Sequence, residues 1–516
     1  MAETSLRFFM TAFAYTETGE KFSFAGRNYL LQPYLDNSAY QVHKKCTQVG
    51  ITTKALFSAI HACMYNKYPK GCIYFFPTET DVNDFSRGRV APIIENNSMI
   101  ANVINDTDTV GMKRVGKRFI YFRGMKSKSR VKSVPSDKNI YDELDEMSPE
   151  IVEMAHERLG DSTLKYKEFL SNPTFPEYGI DKEFITSDQK HWLLKCPHCG
   201  EWNCLEETFP KCILPKGDTY ILACKKCRKE LDKCAGEWVA KMPRNKDVSG
   251  YQYSQLFSKN VTPKEIYTKY HKALKEGKIA TFTRLVLGLA YVSAKDRLTK
   301  EQVLKLRSNE FPKNFWELTS PLYMGVDQGK DLHCVFKRRW NDIILTYPIV
   351  EVEFEDLDKY IKRGVMRCVI DALPETRKAK ELSKRFPGKV YINYYTDQKT
   401  AYNWKEDIKN DEYIVQENRT DSMDASHELI LNGEIMLPFT DVSEEYAIHC
   451  YNTAKKEEEN KETGKKRNVW VKLGADHFRH ADNFATIAMS REDEDANLSV
   501  SSGGSNIEDD IYKGAI

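Results

Sequence analysis

Two CxxC pairs, CPHCG at 196–200 and CKKC at 224–227, constrain this chain more than any other feature. Four thiolates at that spacing, from Cys196, Cys199, Cys224 and Cys227, are the ligand set of a zinc ribbon, in which two knuckles close tetrahedrally on one Zn²⁺. A full set leaves no open coordination position, so the metal is expected to be structural. His198, Cys204, Cys212 and Cys234 stand outside the set and are expected to be bystanders. The chain has 13 cysteines, an odd number spread along its length, which does not suggest a disulfide framework.

At 516 residues the chain is too long for one core, and two or three domains are expected. Hydrophobic residues at 41% and charged residues at 29% describe a soluble globular protein. No apolar run approaches the ~20 residues that cross a bilayer. The N-terminus, MAETSLRFFM, lacks the apolar core of a signal peptide, so the cytoplasm is the expected location. Lys and Arg number 77 against 75 Asp and Glu, but the balance is uneven, because 491–516 is strongly acidic. A basic body with an acidic tail is compatible with a DNA partner.

KKCTQVGITT, at 44–53, follows a short extended run and precedes a helix whose Leu56, Ala59, Ile60, Cys63 and Met64 share one face. Such a loop binds phosphate: backbone N–H groups and a helix N-terminus hold anionic oxygens, a lysine adds charge, and a threonine hydroxyl holds Mg²⁺. The spacing is irregular. Ile51, not Lys, follows Gly50, and the nearby lysines, Lys44 and Lys45, open the loop. Gln48 and Thr53 complete its polar groups. Upstream, Arg27, Tyr29 and Gln32 are candidates to stack on or hydrogen-bond an adenine; a packed N-terminal segment is the alternative.

Strand patterns CIYFF (72–76) and RFIYFRG (118–124) alternate with helical stretches, which predicts a parallel sheet with helices on both faces. KNIYDELDEM (138–147) reads as a further strand with Asp142 and Glu143 at its C-terminal edge, where open α/β sheets bind ligands. There Asp142 can hold a nucleotide's Mg²⁺ and Glu143 can polarise the attacking water. LSNPTFPEYG (170–179) is either a segment coupling the γ-phosphate to movement or a plain loop.

A charged helical linker is expected at 301–318 and a second domain at 319–490. YMGVDQGKDLHCVF, IILTYPIV, MRCVIDALPE and KVYINYY predict three meandering strands, a helix, then strand, helix and strand, the order of an RNase H-like domain. Its chemistry gathers carboxylates from separate elements onto one or two divalent ions. Asp327 and Asp371 lie on neighbouring strands in that order. The third acid comes from GADHFRHADNFATIAM, where Asp476 and Asp482 compete; Asp482, preceding an apolar helical run, is preferred. KKEEENKETGKKR at 455–467 is expected to be a solvated loop or hairpin tip, and 491–516 a disordered acidic tail.

In this order, the loop KCTQVGIT, GMKSKSR leading into YDELDEM, SNPTFPEYG, the knuckles followed by GEWVA, GYQYSQLF and LGLAY, and the Asp327/Asp371/Asp482 set resemble the large subunit of tailed-phage terminases, in its lambda-like branch. The resemblance spans roughly residues 20–490. It implies an α/β protein: a P-loop ATPase domain at 1–300, with the zinc ribbon inserted at about 190–240, then an RNase H-like nuclease. It implies an ATP-driven motor that threads double-stranded DNA through the portal protein into a procapsid. The motor acts with the small terminase subunit, as a homo-oligomeric ring docked transiently in the host cytoplasm. It also implies an endonuclease that uses Mg²⁺ or Mn²⁺ to cut concatemeric viral DNA. In that branch the phosphate-binding lysine opens the loop, which gives the role to Lys45, the tight turn to Gly50 and the Mg²⁺ of the ATPase site to Thr52. Arg130 is placed like the arginine such motors insert into a neighbour's site. The alternative is a zinc-ribbon helicase or remodelling ATPase whose RNase H-like domain binds without cutting.

Overall fold

The computed structural model describes residues 3, 5–126, 134–293, 295–329, 331–396, 402–410, 412–459 and 466–491. The chain divides into two compact units, Met1–Val292 and Ser293–Ile516. None of the described helices is long and apolar enough to cross a membrane.

The first unit is built on strands β1 (Tyr40–Lys44), β2 (Cys72–Phe76), β3 (Arg118–Gly124), β4 (Lys138–Asp142), β5 (Tyr166–Ser171), β6 (Lys190–Lys195), β7 (Gly236–Ala240) and β8 (Ser249–Gln252). They lie in the order β7-β6-β8-β1-β5-β4-β2-β3. From β6 to β3 every neighbouring pair is parallel, whereas β7 runs antiparallel on one edge. Parallel strands covered on both faces need apolar residues on both, and every residue of β2 and β4 is buried accordingly. Side chains alternate between two cores. Ile140 and Leu170 join the face of helix α1 (Ile51–Met64), while Tyr141 and Phe169 join the opposite one. Because β5 lies between β1 and β4, the turns that leave these three strands open side by side.

The ribbon hangs from this sheet. Cys196 and Cys199 occupy the turn after β6, the strand Trp202–Cys204 pairs back onto β6, a hairpin of Ile213–Lys216 and Thr219–Leu222 follows, and β7 rejoins the sheet.

In the second unit β9 (Leu322–Gln328), β10 (Leu332–Trp340) and β11 (Ile343–Val352) form an antiparallel meander. On the other side of β9, β12 (Val365–Asp371), β13 (Val390–Thr396) and β14 (Glu412–Asn418) add in parallel. The order β14-β13-β12-β9-β10-β11 is that of an RNase H-like sheet. Helix α2 (His477–Met489) packs across β9, β10 and β12 on one face. Gly325 permits the contact: a Cβ there would lie 2.0 Å from Ala481 O.

One expectation needs correction. The stretch 301–318 is not a tether. Leu298 and Val303 are buried in one core of the second unit and Phe315 in the other, because apolar side chains recur among its charges. The charged segment at 455–467 lies in a hairpin, as the second of the two alternatives expected, with Thr453–Glu459 paired to Lys466–Lys472; 460–465 and 492–516 lie outside the described residues, as does Arg130.

Candidate functional site

In the first unit, β1 leads into the loop and α1 leads away from it. Gln48 and Gly50 adopt left-handed conformations, φ 62° and 82°, and the N–H groups of the first turn of α1 have no intrahelical acceptor. Gln48, Gly50, Thr52 and Thr53 line a cavity of about 360 Å³, with Arg27 and Arg89 contributed from outside the loop. Lys45 Nζ lies 2.8 Å from Glu143 Oε1 and 3.9 Å from Asp142 Oδ1. Burial alone would lower the pKa of Lys45, but the two carboxylates outweigh it and hold the pKa above its usual value.

Asp142 accepts a hydrogen bond from the Tyr74 hydroxyl at 2.8 Å and one from Thr52. Its Oδ1 is buried without a hydrogen-bond partner. Burial pushes its pKa up to about 6 against the pull of Lys45. An orphaned carboxylate oxygen beside a threonine hydroxyl suits Mg²⁺, a hard cation that takes one or two protein oxygens and fills its other positions with water and phosphate. Glu143 is itself left-handed, φ 62°, a conformation that costs a non-glycine residue about 1–3 kcal/mol. The backbone is held there by the Glu143 N–H bond to Leu170 O at 2.9 Å, and the side chain turns to Lys45.

Lys44 faces elsewhere. Its Nζ is 2.9 Å from Asp181 Oδ1 and lies over the Phe184 ring. Tyr29 is not on the cavity wall: it is buried beneath the loop, its hydroxyl donating to Val49 O at 3.3 Å. Gln32 is exposed and also off the wall. Of the three upstream candidates, only Arg27 reaches the cavity.

Three further groups are invisible to sequence reasoning. Arg89, in a wide helical turn at Ser86–Val90, lies 3.8 Å from Glu17. Asp145 accepts hydrogen bonds from Thr174 N at 2.6 Å and Ile180 N at 2.7 Å, while Asn172 Nδ2 donates to Lys45 O at 2.9 Å. The segment after β5 is thereby tied both to the turn after β4 and to the phosphate loop. Glu168 on β5, fully buried, holds Lys54 Nζ of α1 at 2.9 Å and Lys138 Nζ of β4 at 2.5 Å, with His43 Nε2 of β1 at 3.4 Å. Burial would raise the pKa of Glu168, but the two lysines outweigh it and hold the group well below the usual carboxylate range. Lys54 falls on the side of α1 away from its apolar stripe, beside Ser58 and His61, so helical periodicity gives no signal of its buried partner.

In the second unit Asp327 and Asp371 end the parallel neighbours β9 and β12, one step beyond the Val326/Ile370 pair. Burial, then the charge of Asp327, raises the pKa of Asp371 to about 6. The first turn of α2 meets this edge. His477 Nδ1 is 2.8 Å from Asp327 Oδ2, His480 Nε2 is 3.4 Å from Asp476 Oδ2, and His333 stacks on His477 at 4.6 Å between centroids. Among the described residues, Asp327, Asp371 and Asp476 do not converge as tightly as the ribbon thiolates.

Asp482 departs from expectation. It has no exposed side-chain surface and is bound by Lys337 Nζ at 2.8 Å and the Tyr446 hydroxyl at 2.9 Å. Lys337 pairs in register with Tyr323, about 13 Å along the strand from Asp327. The helical period that makes the run apolar also turns Asp482 into the core.

The ribbon sulfurs converge. Cys196 Sγ is 3.6 Å from Cys227 Sγ, and Cys199 Sγ is 3.6 Å from Cys224 Sγ. A tetrahedron with Zn–S bonds of ~2.3 Å has edges of about 3.8 Å, so the four thiols fit a zinc ion.

Residues 37–241 match the family described as phage terminase large subunit gpA, ATPase domain. No curated protein matches the sequence. Among solved structures, the HK97 bacteriophage large terminase matches over 94% of this chain and 98% of its own, at 10% identity and a TM-score of 0.54. The large terminase of a thermophilic bacteriophage covers 93% and 98%, at 11% identity and TM-score 0.31. The ATPase domain of the Thermus phage P74-26 large terminase covers 53% and 96%, at 10% identity and TM-score 0.32. The family match falls on the unit that carries Lys45, Asp142 and Glu143, so residues 37–241 are similar to the ATPase domain of phage terminase large subunits, and the chain shares the fold of a large terminase.

Proposed function

We propose that the chain is a terminase large subunit that hydrolyses ATP to drive double-stranded DNA through the portal into the procapsid, and that it cuts concatemeric viral DNA with a divalent-metal nuclease. The observation that carries the motor reading is the meeting of Lys45, Thr52, Asp142 and Glu143 at the edge where β1 and β4 end. Lys45 and the loop N–H groups bind phosphate, Thr52 and Asp142 hold Mg²⁺, and Glu143 orients the attacking water. An incoming phosphate competes for Lys45 and releases Glu143 to the water. Asn172 and Asp145, which tie the loop to 172–180, give that change a path into the following segment. DNA is gripped by its phosphates, so translocation has no sequence preference and weakens with salt. Arg130, outside the described residues, is assigned to reach into a neighbouring subunit of a ring, and the small terminase subunit acts with the motor. Assembly takes place in the host cytoplasm.

For the nuclease, Asp327 and Asp371 hold Mg²⁺ or Mn²⁺, and Asp476 takes the third position in place of Asp482. Asp371→Ala and Asp476→Ala should each abolish Mn²⁺-dependent plasmid cleavage while ATP hydrolysis continues. Cleavage that survives either change removes that residue from the site.

A further inference from the structure

The ribbon's first hairpin carries a second group of metal-ligating side chains, at the end away from the four thiols. His191 on β6, Cys204 at the end of the return strand Trp202–Cys204, and Glu206 in the short helix that follows each offer one donor atom, and these atoms lie within 4.8 Å of one another. Exposure is 8% at His191 and 6% at both Cys204 and Glu206. Cys204 Sγ lies 3.8 Å from His191 Nδ1 and 3.5 Å from Glu206 Oε2. The other carboxylate oxygen, Glu206 Oε1, is buried with no hydrogen-bond partner. Lys241, whose charge acts on Glu206, is itself ion-paired with exposed Glu207. A buried carboxylate without a counter-charge is a costly arrangement, and a bound cation removes the cost.

We infer that His191, Cys204 and Glu206 bind a second divalent metal ion of the zinc class. The donor set decides the class. A thiolate disfavours Mg²⁺ and Ca²⁺, whereas thiolate, imidazole and carboxylate are all zinc ligands. The Cys204 thiol releases its proton to solvent as the Sγ–metal bond forms, and water completes the coordination. The site is separate from the ribbon zinc: Leu193 pairs with Cys204, while Cys196 lies beyond Lys195, so His191 and Cys196 stand about 16 Å apart along the strand direction. Where the four-thiol ion closes the tip of the hairpin, this one pins its base, joining β6 of the ATPase sheet to the helix Leu205–Thr208.

The test is the zinc content of the purified full-length chain, measured by mass spectrometry after dialysis into zinc-free buffer. Two ions per chain are expected, falling to one in Cys204→Ala and in Glu206→Gln. With Co²⁺ in place of zinc, Cys204→Ala should lose the charge-transfer absorption of one thiolate and keep that of the other four. Glu206→Gln is nearly isosteric and decides the matter should Cys204→Ala fail to fold. A single zinc in the unaltered chain overturns the inference. So does a Glu206→Gln chain that keeps both ions or loses both.

Discussion

Lys44 and Lys45 are chemically identical neighbours, and a strand end separates their roles. Lys44 closes β1 and is committed to Asp181; Lys45 enters the loop and meets Glu143. Lys45→Ala should therefore cut ATP hydrolysis by about 100-fold or more, the scale on which phosphate-clamping charges act. Lys44→Ala should instead leave turnover near normal and lower the melting temperature, because it strands Asp181 in a buried position. Phosphate release and thermal melts on the two variants separate these outcomes. A different residue-scale effect comes from Glu417, which is 1% exposed and whose pKa burial raises to about 8, against the opposing pull of the Ser422 and Asn393 side chains. In the folded chain it keeps its proton to higher pH than in the unfolded chain. Its contribution is thus complete below the unfolded carboxylate pKa and is lost as pH rises towards 8, at up to about 1.4 kcal/mol per pH unit. Glu417→Gln should flatten that slope and raise stability at pH 8 relative to the unaltered chain; denaturant melts from pH 5 to 8 read it directly.

Between elements, the first unit depends on an anion no motif announces. Glu168 of β5 sits among Lys54, Lys138 and His43, so that the helix leaving the phosphate loop, the strand ending in Asp142 and the strand entering the loop share one partner. Removing it leaves two lysines buried and uncompensated, and Glu168→Ala should cost about 3–5 kcal/mol, seen as a shift of the denaturant midpoint. Elements with a local signature are legible in the chain: the strand at 138–142 and the strand–loop–helix at 40–64 follow from apolar periodicity and loop chemistry. Which charges meet across the sheet is not local. Lys54 reads on a helical wheel as an ordinary polar position beside Ser58 and His61, and only the placement of β5 between β1 and β4 supplies its partner. The same reason displaced Asp482, since the apolar run fixes that a helix forms but not the angle at which it crosses β9, and Gly325 sets that crossing.

For the whole molecule, the order of segments was legible because each half repeats a strand-and-helix rhythm and the cysteine pairs mark the insertion. The stretch at 301–318 is less legible. Charged residues dominate 301–318, yet Val303 and Phe315 are enough to fold it into the second unit. The grouping of Cys204 with His191 and Glu206 has no local signature either, since a cluster drawn from a strand, a strand end and a helix has no spacing rule. The proposed motor function places hydrolysis at the edge where Asp142 and Glu143 leave β4. Single-turnover ATP hydrolysis by Glu143→Gln, with nucleotide affinity measured on the same preparation, tests it most directly. The predicted result is binding within about threefold of the unaltered chain and hydrolysis slowed by about 100-fold or more, as expected when the group that activates water is removed. Hydrolysis at the normal rate would contradict the role assigned to Glu143.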